Sequence, residues 1–162
     1  MILSLNSLFG RKGESFEFEK SFELKEKDLL ETVGITACEP IFCKGSVVSY
    51  GDTLALKATY EVELHKLCDR CLIAYDESIE GVLQRTVSKE AKDGLDNIEA
   101  GDGNVNLHDI LSDELMTVVS SQSLCDEDCK GLCTECGIDL NEESCECHKN
   151  DIDPRFRALL DL

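Results

Sequence analysis

From Phe16 to Leu24 of the 162-residue chain, hydrophobic side chains recur on alternate positions. Phe16, Phe18, Phe22 and Leu24 are interleaved with Glu17, Glu19, Ser21 and Glu23, and a period of two sets one face of a strand in a core and the other in water. Residues 40–49 and 53–67 are further β-rich runs, and Tyr50-Gly51-Asp52 between them predicts a hairpin that turns at Gly51. Residues 75–88, with Ile79, Val82, Leu83 and Val87, predict a strand returning along the same sheet. Residues 1–9, apolar but interrupted by Ser4 and Asn6, predict one more strand, and 28–33 have room for one or two helical turns.

The pattern then changes twice. Residues 89–106 are rich in Gly, Asp, Asn and Glu and poor in apolar side chains, as expected for a mobile acidic connection. Beyond it Leu107, Ile110, Leu111, Leu115, Val118 and Val119 recur at helical spacing. Asn106 stands where an N-cap is needed, and Asp109 falls in the first turn, where negative charge is favoured. This predicts a helix packed on the sheet. From 125 to 147, six cysteines fall within 23 residues that carry almost no large apolar side chains. Such a stretch cannot bury a core and needs another source of stability.

Asp and Glu number 34 against 16 Lys and Arg, a formal charge of −18. Nucleic-acid affinity depends on neutralising phosphates with cations, so this balance argues against a broad RNA or DNA footprint and suits a basic partner protein. An acidic surface that serves only solubility has the same composition. The opening residues lack the basic flank of a signal peptide, and no apolar run approaches the roughly 20 residues that cross a bilayer. Both features point to a soluble protein of the reducing cytoplasm, where ten cysteines favour metal over disulfides.

Eight of the ten fall into four groups: Cys68-Asp-Arg-Cys71, Cys125-Asp-Glu-Asp-Cys129, Cys133-Thr-Glu-Cys136-Gly137 and Cys145-Glu-Cys147. A Cys-x-x-Cys turn brings two thiolates onto one ion, and Gly137 permits the positive φ that follows a second ligand. Eight sulfurs make two tetrahedral Zn²⁺ sites. Eight thiolates subtract eight charges and two Zn²⁺ restore four, taking −18 to −22. The favoured grouping sets Cys68, Cys71, Cys125 and Cys129 on one ion and Cys133, Cys136, Cys145 and Cys147 on the other. Closing the 54 positions from Cys71 to Cys125 costs about 3.5 kcal/mol, small beside the roughly 10–16 kcal/mol of structural zinc. The competing grouping sets Cys125, Cys129, Cys133 and Cys136 together. In Cys145-Glu-Cys147 an extended backbone would turn both side chains to one face without bringing them onto one ion, and His148 is an alternative ligand.

The expected architecture is therefore α+β. A β-rich antiparallel sheet domain spans residues 1–90 and carries the first Cys-x-x-Cys, and an acidic linker and packing helix of the same domain span 91–124. Residues 125–162 form a small, detachable zinc-ribbon-like segment with a C-terminal tail. Cys38 and Cys43, without partners at ligand spacing, read as small buried hydrophobes. His65 and His108 have no sequence companions that make them catalytic, and the chain offers no nucleophile elbow, phosphate loop or His-Glu metalloprotease motif. No catalytic residues are expected. A zinc filled by four thiolates also keeps no open position for substrate.

Cys68-Asp-Arg-Cys71-Leu72, Cys129-Lys-Gly-Leu-Cys133-Thr-Glu-Cys136-Gly137 and Asp153-Pro154-Arg155-Phe156 together resemble the YceD-type family, described as large ribosomal RNA subunit accumulation proteins. The resemblance covers most of the chain. It implies a non-catalytic role in large-subunit ribosome biogenesis, with a ribosomal protein or large-subunit precursor as partner. Other members of the family keep the mid-chain pair and a downstream His/Cys pair but lack the ribbon, which supports the favoured grouping. Thr134 stands where the family often has Pro, and Ser121-Gln-Ser-Leu124 replaces a segment that often contains Leu-Pro. Any contact with rRNA is expected through Lys66, Arg70, Lys130, Lys149, Arg155 and Arg157. The alternative function is a thiol-based redox or zinc-responsive regulator.

Overall fold

The computed structural model describes residues 1–23, 34–90, 94, 96–120 and 122–147. In chain order these hold β1 (Ile2–Ser4), β2 (Ser15–Phe22), β3 (Ile35–Cys38), β4 (Ile41–Ser49), β5 (Thr53–Leu67), β6 (Ala74–Ser88), β7 (Asn97–Glu99), β8 (Asn104–Asn106) and α1 (Leu107–Val118). The helical turns expected at 28–33 lie outside the described residues.

The main sheet runs β2-β4-β5-β6-β7. β5 and β6 are antiparallel partners along all fifteen residues of each. On the other side of β5, β4 covers the first half and β3 the last part. The long hairpin is preceded by a tighter one between β4 and β5, closed where the Tyr50 N–H donates to Thr53 O at 2.8 Å. Gly51 turns there with φ +102°, a conformation that glycine adopts without steric cost.

Alternation along β5 decides which face is core. Leu54, Leu56, Ala58, Tyr60, Val62 and Leu64 are buried, while Lys57, Thr59, Glu61 and Glu63 are exposed. Ile41, Cys43 and Val47 of β4 and Ile79, Leu83 and Val87 of β6 join the buried face. At Gly45 a Cβ would meet the Lys57 carbonyl at 2.4 Å and the Ala58 backbone at 2.7 Å, so only glycine lets β4 and β5 approach there. Helix α1 closes this face with Leu107, Leu111 and Leu115, all in one core cluster with the sheet. Arg85 of β6 pairs with Glu114 of α1 across the same interface. The helix begins where the Asn106 side chain accepts from the His108 N–H, as an N-cap should. Among the described residues the result is one helix on a mostly antiparallel sheet, an α+β arrangement with a Cys-rich end.

Three local expectations differ from the structure. Residues 1–9 form a strand only over β1 and then turn. Phe16 stays 44% exposed because it lies on the edge strand β2. The acidic stretch 89–106 contains two strands, of which β7 pairs in parallel with the end of β6 and β8 pairs with β1. Each has only three residues, too few for periodicity to register, yet Val105 and the nearby Ala100 are buried.

Candidate metal centre

The inward face of β5 does not stop at Leu64. Continuing by twos, it reaches Lys66 and then Cys68, both buried. The β5–β6 loop supplies Cys68 and Cys71, and the segment leaving α1 supplies Cys125 and Cys129. Their four Sγ atoms all lie within 4.8 Å of one another. Backbone bonds hold the segments in place. The Asp69 N–H donates to Ser123 O at 2.7 Å, the Leu132 N–H to Arg70 O at 2.9 Å, and the Ser123 N–H to Asp69 Oδ2 at 2.8 Å. Gly131, at φ +75°, is required because a Cβ would meet Arg70 O at 2.8 Å.

Cys133, Cys136, Cys145 and Cys147 form a second cluster that meets the same 4.8 Å limit. This is the grouping favoured from the spacing, and Cys125 and Cys129 are not placed with Cys133 and Cys136. Glu146 lies in a bend and not in an extended strand, and that bend collects the sulfurs of Cys145 and Cys147. His148 lies outside the described residues. Cys68, Cys71 and Cys129 of the first cluster are buried, whereas only Cys133 of the second is.

The donor chemistry fits a tetrahedral thiolate-binding cation. Zinc–sulfur bonds of about 2.3 Å imply sulfur–sulfur edges of about 3.8 Å, and Cys68–Cys129 and Cys71–Cys125 are 3.8 Å and 3.6 Å apart. A disulfide requires about 2.05 Å. Burial raises the Cys68 thiol, but N–H groups of Cys125, Cys71 and Arg70 outweigh it and hold the group down at about 6. N–H groups of Cys136 and Glu135 do the same for Cys133, also at about 6, against a smaller burial effect. Cys125 is pushed up to about 12 by burial and the neighbouring sulfurs, and Cys147 to about 12 by the Cys136 sulfur first and then burial. In each cluster one thiol is thus held down while another is pushed up by the sulfurs around it, a repulsion that a central divalent cation removes. Burial alone lifts Cys43 to about 11 and is the main cause of the same value at Cys38; neither belongs to a cluster.

A family described as "Large ribosomal RNA subunit accumulation protein YceD" matches residues 56–162, a span that holds all eight clustered cysteines. The chain belongs to this family. Membership in the YceD family implies a role in accumulation of the large ribosomal subunit's RNA. An uncharacterized protein of Mycobacterium leprae (strain TN) is 25% identical over 170 residues, covering 100% of this chain and 77% of the relative. A chloroplastic protein of Arabidopsis thaliana, "Large ribosomal RNA subunit accumulation protein YCED homolog 1", is 34% identical over 44 residues. That match covers 27% of this chain and 14% of the plant protein. No solved structure matches the chain.

Several residues around the two clusters have roles that spacing did not reveal. Asn141 accepts from the Lys130 N–H at 2.8 Å and donates from Nδ2 to Cys129 Sγ at 3.5 Å, so the ribbon's turn holds a sulfur of the other cluster. Lys66, expected among surface cations, has 1% of its side chain exposed and donates to Glu77 Oε2 at 2.9 Å, because its register on β5 points it inward. Arg70 donates to the carbonyls of Cys129 and Glu127 at 2.7 Å and 3.3 Å. Lys130 is exposed, and Lys149, Arg155 and Arg157 lie outside the described residues. His65 has companions after all: Asp76 at 2.6 Å and Glu39 at 3.4 Å, brought beside it by the strand pairing. Among the described residues no helix is long and apolar enough to cross a membrane.

Proposed function

We propose that the chain is a non-catalytic, zinc-binding factor of large ribosomal subunit biogenesis that acts in the cytoplasm through contacts with a basic ribosomal protein or a large-subunit precursor. The observation that carries this reading is the coincidence of the family match with both cysteine clusters inside residues 56–162. Zinc suits a four-thiolate donor set better than the oxygen-seeking divalent ions. With four thiolates around each ion, no position is left for a substrate, and the metal serves the fold. The −18 charge favours a basic protein partner over a broad nucleic-acid surface.

Removing the protein from its own cells tests this reading. The expected result is a lowered ratio of large- to small-subunit rRNA, restored by the wild-type chain and not by a chain carrying Cys68→Ser and Cys71→Ser. An unchanged ratio would overturn it. The exposure of Cys125, Cys136 and Cys147 favours a second reading, a thiol-based or zinc-responsive regulator. Under mild peroxide that reading predicts rapid zinc release with reversible disulfides, whereas the biogenesis factor keeps its zinc.

A further inference from the structure

The β5–β6 loop and the loop after Cys133 are the same turn built twice. In each, the first cysteine's N–H donates to the carbonyl five residues on, Cys68 to Ile73 at 2.9 Å and Cys133 to Ile138 at 2.8 Å. In each, that cysteine's carbonyl accepts from the N–H four residues on, Leu72 at 2.9 Å and Gly137 at 2.8 Å. The residue after the second cysteine is left-handed in both: Gly137 at φ +75° and Leu72 at φ +62°. Glycine enters this region freely, whereas the Cβ of leucine is forced against its own backbone. Leu72 is the only non-glycine residue with positive φ among the described residues.

Burial does not compensate this strain. Leu72 is 62% exposed, and beside it at the hairpin tip Ile73 is 55% and Leu67 41% exposed. Three large apolar side chains are therefore exposed between residues 67 and 73, the stretch that carries Cys68 and Cys71 of the first cluster. Asp69 of the same loop is exposed, as are Asp126, Glu127 and Asp128, which the bond from Arg70 to Glu127 O brings alongside. The Arg70 guanidinium is itself occupied by backbone carbonyls.

We propose that this stretch is the docking crown for a basic polypeptide: Leu72 enters an apolar pocket of the partner, flanked by Leu67 and Ile73, and the surrounding carboxylates meet Lys and Arg at the pocket's rim. The acidic surround disfavours RNA as the occupant. The inference deepens the proposed function by naming the contact surface, and rests on it only for the choice of candidate partners.

The test titrates the zinc-loaded full chain against purified large-subunit ribosomal proteins, each singly, using wild type, Leu72→Gly and Leu72→Asn, with Tm measured in parallel. Both replacements tolerate the left-handed backbone. The expected result is binding of wild type to a basic member of the set, weakened about tenfold or more in both variants, with Tm held within about 2 °C or raised. Equal binding by the variants would overturn the docking crown while leaving the protein-contact function standing. Binding of wild type to none of the proteins would overturn the docking crown and leave a large-subunit precursor as the partner of the proposed function. A fall in Tm beyond about 5 °C in both variants would make Leu72 a fold residue and overturn the proposal. A photo-crosslinker at position 73 in cells supplies an independent readout. Capture of a basic polypeptide supports docking, whereas capture of rRNA, or of residues 24–33 or 148–162 of the chain itself, overturns it.

Discussion

Replacing Glu77 by Gln isolates the buried charge of Lys66. Lys66 sits at an inward position of β5 with 1% of its side chain exposed, and its Nζ reaches Glu77 Oε2 at 2.9 Å. Removing one partner of a fully buried pair costs about 3–5 kcal/mol. Glu77 keeps 40% of its side chain in solvent, so water screens part of the interaction and the expected loss is about 2–3 kcal/mol. At this chain length that is a fall of about 5–10 °C in Tm. Lys66→Met keeps the apolar stem's bulk, removes the buried charge and leaves a carboxylate that water can solvate. It is expected to cost less than about 1 kcal/mol, and the double variant to recover most of the Glu77→Gln loss. Urea unfolding of the metal-loaded chains, with m-values checked for equality, measures all four corners of the cycle. A Glu77→Gln loss below about 0.5 kcal/mol, or a larger loss in Lys66→Met, would refute a buried charge that depends on its carboxylate.

Cys71→Ser is expected to destabilise the sheet domain itself, because its cluster joins the β5–β6 loop to the segment leaving α1. Cys136→Ser is expected to disturb mainly residues 133–147, and hydrogen exchange resolved along the chain separates the two; equal global unfolding in both would count against distinct sites. His65 gives a pH signature. The hydrogen bond that its ring N–H donates to Asp76, reinforced by Glu39, raises its pKa above the ordinary imidazole value. The stabilisation is therefore complete below about pH 6.5 and lost as pH rises through the folded value. His65→Gln should abolish that fall in urea midpoint, and an identical pH profile in both proteins would exclude it.

Much of this was legible because repeated spacing carries physical information. The β-rich runs on either side of Gly51 foretold β4, β5 and their hairpin, and alternation from Phe16 foretold β2, since a strand half in water must alternate. The grouping of Cys68 and Cys71 with Cys125 and Cys129 was favoured but not decided by spacing, since a logarithmic loop cost is small beside the metal term for either grouping. What stayed hidden depends on register or on single atoms. Nothing in the composition marks Lys66 as buried; only its even-numbered place on β5 does. The bond from Asn141 could not be foreseen, because a side-chain N–H aimed at the sulfur of Cys129 leaves no trace in spacing. Leu72 stood in plain view after Cys71, but its left-handed backbone emerged only when the turn could be laid beside that of Gly137.

Both the fold and the proposed function depend on the two cysteine clusters being structural zinc sites. Native mass spectrometry of the protein purified from its own cells under reducing conditions tests it most directly, with thiol counting before and after denaturation. Two zinc ions per chain are expected, with the eight clustered thiols reacting only once the protein is unfolded and the metal released. A chain that carries no zinc, or one whose clustered cysteines are paired as disulfides, would contradict it.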